Sequence, residues 1–270
     1  MGILNVTPDS FSDGGEFLEA ERAIAHAREM VAEGAALIDV GGESTRPGAE
    51  PVGAAAELER VSPVIEAVVD AGVPVSVDTS KPEVMESAVA AGAGFINDVL
   101  ALRAPGALEA AASLGVPVCL MHMQGEPRTM QKHPHYDDVV GDIHRFFEQR
   151  IEACLAAGIR EENLVLDPGF GFGKTLAHNL ELLRRLNEFL DLGRPLLVGM
   201  SRKSMLGKLL DGVPADRRLP GSLAAAVIAV WQGASMVRTH DVRPTVEALR
   251  VCEAVIRPGP GTRDTGHGRE

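Results

Sequence analysis

The segment LDPGFGFGKT at 166–175 has the look of a phosphate loop between a strand and a helix, but its spacing is wrong for one. A Walker loop has four residues between its first glycine and the Gly-Lys pair; here three separate Gly169 from Gly173, and Pro168 stands in the required place with no N–H to give a phosphate. Other chemistry-bearing side chains follow short apolar runs: Asn5, Asp39, Asp78, Asn97 with Asp98, His122, Asp167, Ser201-Arg202-Lys203, and Arg238 with His240. Asp78, Asn97 and Asp167 exchange hydrogen bonds, whereas Arg46, Lys203, Arg238 and His240 bind anions. That division suits a neutral, hydrogen-bonding ring joined to an anionic group. A carboxylate can accept two parallel N–H bonds from an amino-pyrimidine edge, and Lys203 can donate to a ring carbonyl and ring nitrogen. Arg238 can stack on the ring while its edge holds phosphate. Taken singly, each of these residues also reads as a helix cap or turn former, and Asp39, Asp98 and Asp241 fit that reading. Lys174 reads as a solvated lysine at a helix start. His122 either faces the site or caps a turn, and His133 and His135 read as a solvated polar turn before a zinc pair. No Ser-His-Asp or Cys-His pattern offers an activated nucleophile.

The elements that must carry these residues are β-branched runs alternating with helical patterns. Eight strands are expected, at 1–6, 36–40, 73–78, 94–98, 116–122, 163–167, 194–201 and 234–238. Phe17, Ala20, Ile24, Ala27 and Val31 mark one helix face, and Leu58, Val61, Ile65 and Val68 another. Gly34, Gly72, Gly92, Gly115 and Gly158 stand where helices should end. Eight units in this length close most economically into one (β/α)₈ TIM barrel over 1–256, with chemistry at the C-terminal ends of the strands; an open doubly wound sheet is the alternative. The Pro/Gly-rich tail 257–270 is expected to be disordered.

Of the 270 residues 45% are hydrophobic, with 29 Gly but one Trp and one Tyr, which points to Ala/Val/Leu packing with many tight turns. A net charge of −12 argues against a nucleic-acid or anionic-membrane surface, so an anionic ligand needs a local basic cluster. Cys119, Cys154 and Cys252 are too scattered for a disulfide or zinc framework and lie in apolar patterns, which suits a reducing cytoplasm. The apolar run SLAAAVIAVWQGA is too short to span a bilayer and is expected to be buried in the outer layer or across a homodimer interface.

Seven stretches, NVTPDSFSDGG, DVGGESTRPGA, VDTSKPEV, IND, DPGFGFGKT, VGMSRKS and RTHD, resemble dihydropteroate synthases in order and register, from Met1 to about Ile256. The resemblance implies condensation of dihydropterin-methyl diphosphate with 4-aminobenzoate in folate biosynthesis, with sulfonamides as inhibitors. It places Asp78, Asn97, Asp167 and Lys203 in a buried pterin pocket and Thr45, Arg238 and His240 on the diphosphate. Asp78, Asp167, Lys203 and Arg238 are thereby the catalytic set. Asn5 is similar to the residue that meets Mg²⁺, an ion that keeps most of its waters and binds mainly through phosphate oxygens. Phe11, Asp13, Arg46 and Pro47 belong to two Gly/Pro/Ser-rich loops that fold over the site, while Phe172 and Ser201 lie near the 4-aminobenzoate. The implied reaction is dissociative: diphosphate leaves on Mg²⁺, Arg238 and His240, the carboxylates stabilise a pterin methylene cation, and the aniline nitrogen attacks. Family members usually carry residues before the first strand, whereas this chain opens on MGILNV; either the start lies upstream or the barrel bottom is less well sealed, which bears on stability more than on function. Two rivals stay open: a pterin-dependent methyltransferase, which has no use for the STRPG, SRKS and RTHD diphosphate clamp, and a pterin-binding paralogue without turnover.

Overall fold

The computed structural model describes residues 1–6, 16–44, 49–126 and 128–257, with backbone only for 16–20. Phe11, Asp13, Thr45, Arg46, Pro47 and the tail from 258 onward lie outside the described residues.

Strands and helices alternate as β1 (Gly2–Asn5), α1 (Glu16–Ala32), β2 (Ile38–Gly41), α2 (Ala54–Asp70), β3 (Val75–Asp78), α3 (Pro82–Ala90), β4 (Phe95–Asp98), α4 (Ala107–Leu114), β5 (Val118–Met121) and α5 (Val139–Ala156). They continue as β6 (Leu164–Asp167), α6 (Leu176–Arg184), β7 (Leu197–Val198), α7 (Ser204–Leu209), α8 (Leu219–Trp231), β8 (Met236–Val237) and α9 (Val242–Ile256). β1 to β6 pair in sequence order, all parallel, and β7 pairs with β8. Bridges from Leu166 to Leu196 and from Gly2 to Thr239 join the two sheets at both seams. The sheet therefore closes on itself, and the open-sheet alternative is excluded.

The strands are shorter than the apolar runs suggest. Ladder pairing in β7 covers two residues instead of the expected eight; Pro195 has no N–H to donate before it, and a turn with Arg202 at φ +58° follows it. All five helix-ending glycines have positive φ. The expected face of α1 is in place at Ala27 but shifted around it: Ala23 and Met30 are buried, whereas Ile24 is half-buried and Val31 is exposed. On α2 the expected stripe is in place, with Val61, Ile65 and Val68 buried.

Strand alternation divides the interior into two environments. Outward side chains such as Leu4, Val40, Val77, Ile96 and Leu120 join the helices in the main core. Inward ones build an apolar floor of Phe95, Cys119, Val165 and Leu197, with Met1, Leu37 and Met236 against it. Above that floor, two residues further along, the inward side chains of four strands become polar: Asp39, Asn97, Asp167 and Arg238. Cys154 and Cys252 are buried and unpaired like Cys119.

α8 turns Ser222, Ala225, Ala226 and Ala229 inward, but Ile228 is 46% and Trp231 61% exposed. Full burial in the outer layer, one of the two expectations for this helix, is thus corrected: small residues face the barrel, and the large ones are left outward.

Candidate active site

The polar tier centres on a residue that the sequence presents as a turn former. Asp39, 0% exposed, sits inside β2 and points into the barrel. Ser76 Oγ donates to its Oδ1 (2.6 Å), while Asn97 Nδ2 (3.0 Å) and Arg238 Nε (2.5 Å) donate to its Oδ2. The cap reading of Asp39 is therefore wrong: a carboxylate this deep needs partners, and it has three donors, one of them cationic. Its signal in the sequence is position, since a charge in the middle of the apolar run ALIDV has no solvent to face.

Arg238, just past β8, also donates from Nη2 to Asp78 Oδ2 (2.8 Å), so β2, β3 and β8 are tied by one guanidinium. Burial opposes the Arg238 charge, but Asp39 and Asp78 outweigh it and raise its pKa. Burial also raises Asp78, with Arg238 pulling against it and Asp39 adding to it. Asn97 lies beside Asp78 in register, and its amide is fixed by the bond to Asp39. With one Nδ2 hydrogen committed to Asp39, the side-chain oxygen and the second hydrogen are left for a ligand.

Asp167 ends β6, buried, its Oδ1 accepting from Gly169 N (2.8 Å). Burial raises its pKa, with Lys203 the largest opposing influence. Lys203 precedes α7, donates to Phe170 O, and lies 4.5 Å from the centre of the Phe172 ring. Burial lowers it to about 8 while Asp167 pulls it up. Phe172 packs on the cluster of Val99, Met121, Met123 and Met130. Ser201 Oγ is 3.0 Å from His240 Nδ1 and accepts from His240 N.

Gly169 explains the run DPGFGFGK. At φ +70°, a Cβ there would lie 1.9 Å from His122 O, so the loop after β6 rests backbone to backbone on the chain leaving β5. Lys174 is correspondingly not solvated: it is 3% exposed, and its Nζ donates to Gly169 O (2.9 Å) and Phe172 O (3.1 Å) and meets His122 Nδ1 at 3.0 Å. A clue was available, because Thr175 caps α6 through a capping box with His178, and a lysine beside a helix N-terminus has the wrong sign for the dipole. His122 neither faces ligand space nor caps a turn; it packs edge-on against Phe146 and is held neutral, chiefly by burial and then by Lys174, at about 2.

Asp98 does act as a turn former, accepting from Leu100 N, Leu102 N and Ser80 Oγ and holding Ala101 and Leu102 at positive φ. Asp241 pairs with Arg202. His133 and His135 are exposed, with His135 beside Asp137 at 3.6 Å. Among the described residues, no cluster of three His, Cys, Asp or Glu side chains could hold a metal. Asn5, at the end of β1, is half-buried and offers a single amide oxygen.

Residues 1–240 match the family described as pterin binding enzyme. The dihydropteroate synthase of Escherichia coli (strain K12) is 59% identical over 257 residues, covering 95% of this chain and 91% of the relative. The chain belongs to the dihydropteroate synthase family. Solved structures agree. The Yersinia pestis dihydropteroate synthase with a sulfonamide drug complex superposes with a TM-score of 0.90 at 58% identity, covering 95% of this chain and 93% of that one. The Xanthomonas albilineans dihydropteroate synthase in complex with 7,8-dihydropteroate gives 0.86 at 51%, covering 95% and 92%. The resemblance read from the seven stretches is thereby upheld, and with it the TIM barrel.

Proposed function

We propose that this chain condenses dihydropterin-methyl diphosphate with 4-aminobenzoate to give 7,8-dihydropteroate and diphosphate. The observation that carries the reading is the convergence of Asp39, Asp78, Asn97 and Arg238 in one buried network at the barrel mouth, with Asp167 and Lys203 coupled to it electrostatically. Asp167 takes the amino-pyrimidine edge, Asn97 accepts a ring N–H, and Lys203 donates to the ring carbonyl and ring nitrogen. Arg238 and His240, with Thr45, hold the diphosphate, and Ser201 orients His240. Phe172, Phe11, Arg46, Pro47 and Asp13 serve the 4-aminobenzoate side and the loops above it.

Bond breaking precedes bond making in this reading. The carboxylates Asp78 and Asp167 stabilise the positive charge that spreads from the methylene over the pterin ring, and Arg238 stands where negative charge leaves. The donor at Asn5 fits Mg²⁺ held mainly by phosphate and water, since one amide oxygen, with no carboxylate cage among the described residues, suits a cation that dehydrates reluctantly. Bound there, the ion would neutralise charge on the departing diphosphate.

Mass spectrometry of a reaction containing both substrates tests the proposal: 7,8-dihydropteroate is the expected product, and its absence with folded protein and Mg²⁺ would refute it. The kcat/KM profile is expected to be bell-shaped. Its alkaline limb should lie near pH 8, where Lys203 loses its proton and its donation, and its acid limb, set by Asp78 and Asp167, above the ordinary carboxylate range. An alkaline limb near the usual lysine value would remove Lys203 from the pocket.

A homodimer and a cytoplasmic setting complete the reading. Trp231 and Ile228 on α8 and Val251 and Val255 on the adjoining α9 are exposed apolar residues of the kind a C₂ interface covers. No described helix is long and apolar enough to cross a membrane. Light scattering should give twice the chain mass and drop to the monomer in Trp231→Glu; a monomeric wild type would eliminate the dimer.

A further inference from the structure

The loop from Asp167 to Lys174 has nearly all its backbone polar groups assigned. Gly169 N donates to Asp167 and Gly171 N to Asn179, while Phe170 O, Gly171 O and Gly173 O accept from Lys203, Gln131 and Tyr136. The remaining inward carbonyls, Gly169 O and Phe172 O, converge on Lys174 Nζ, which also meets His122 on the neighbouring loop. Among the described residues no carboxylate touches this amine, although it is almost wholly buried; burial lowers its pKa well below the ordinary lysine value, with Asp167 pulling it up and Lys203 pushing it down. A buried charge so placed is unfavourable unless a nearby opposite charge compensates it through the low-dielectric interior. The pocket supplies that compensation. Asp167, also faced by Lys203 and Arg238, acts on Lys174 with the opposite sign, as Lys174 does on it. The next nearest acids are otherwise engaged, Asp98 in its turn and Glu57 with Lys81.

We infer that Lys174 is a positioning residue of the site: its amine bolts the Asp167 loop to the end of β5 and acts on Asp167, from behind the substrate, as a group of opposite sign. The second half of this role rests on the pterin-condensing reading. Asp167 is faced by Lys203 from before α7, by Arg238 from beyond β8 and by Lys174 from its own loop, and Gly169 N bonds it directly. His122, on the β5 side, is a neutral acceptor and adds no charge.

Two measurements test this. In Lys174→Met the acid limb of the kcat/KM profile should move upward by about one pH unit, because an opposite charge has been withdrawn from Asp167. Gly173→Ala is the control: its Cβ would lie 2.4 Å from Gln124 O, which disturbs the same loop while keeping the charge. It should lose activity with the limb in place. An unmoved limb in Lys174→Met, or the same shift in both variants, would overturn the inference. Thermal unfolding of Asp167→Asn, Lys174→Met and the double variant needs no turnover, so it remains decisive even if the chain proves inactive. Neutralising Asp167 should restore stability to Lys174→Met, and if that single variant does not fold, the double variant should. A double variant no more stable than Lys174→Met would show that only loop shape is at stake.

Discussion

Asp167→Asn is expected to lower turnover by about 10²-fold or more, the scale on which removing one preorganised electrostatic partner of a transition state is felt. The substitution is nearly isosteric, and an asparagine oxygen can still accept from Gly169 N, so the loop keeps its shape. What is lost is the negative charge against Lys203, Lys174 and Arg238, together with one of the two acceptors for the amino-pyrimidine edge. Steady-state kinetics should show kcat falling, with calorimetric pterin affinity reduced alongside it. Unchanged turnover would remove Asp167 from the mechanism.

Asp39→Ala is expected to destabilise the fold by about 3 kcal/mol, the lower end of the cost of breaking a buried ion pair, since Arg238 retains Asp78. Ser76 and Asn97 would each lose an acceptor. Asn97 could then turn its amide over, so pterin affinity should drop even in the fraction that folds. Urea unfolding gives the first quantity and pterin titration the second. Wild-type stability together with wild-type affinity would show that Asp39 organises neither partner.

Where sequence reading succeeded and failed follows from which forces are local. Asp78, Asn97 and Asp167 are legible because each ends or nearly ends an apolar run, and a parallel barrel puts all such ends on one rim. The glycines before the strands are legible because positive φ at a helix end is a local requirement. Asp39 and Lys174 were misread for the opposite reason. Their partners lie on other strands: Arg238 is 199 residues from Asp39, and His122 is 52 from Lys174. The local clues, a charge inside ALIDV and a lysine beside a capped helix N-terminus, mark burial but do not name the partners. The slip on α1 shows a different limit: Val31 continues an apolar row in sequence, yet the helix has turned it outward by the point where the barrel ends. β7 was overlong because an apolar run marks burial, whereas ladder pairing also needs a donor that Pro195 lacks.

The central claim is that this pocket breaks a pterin–diphosphate bond for an aniline. The most direct measurement is diphosphate release by the purified protein with dihydropterin-methyl diphosphate and Mg²⁺, followed as 4-aminobenzoate is varied. Release should rise with 4-aminobenzoate to saturation and be competed by a sulfonamide. Diphosphate release at the same rate without 4-aminobenzoate, or no release at any concentration, would contradict the account.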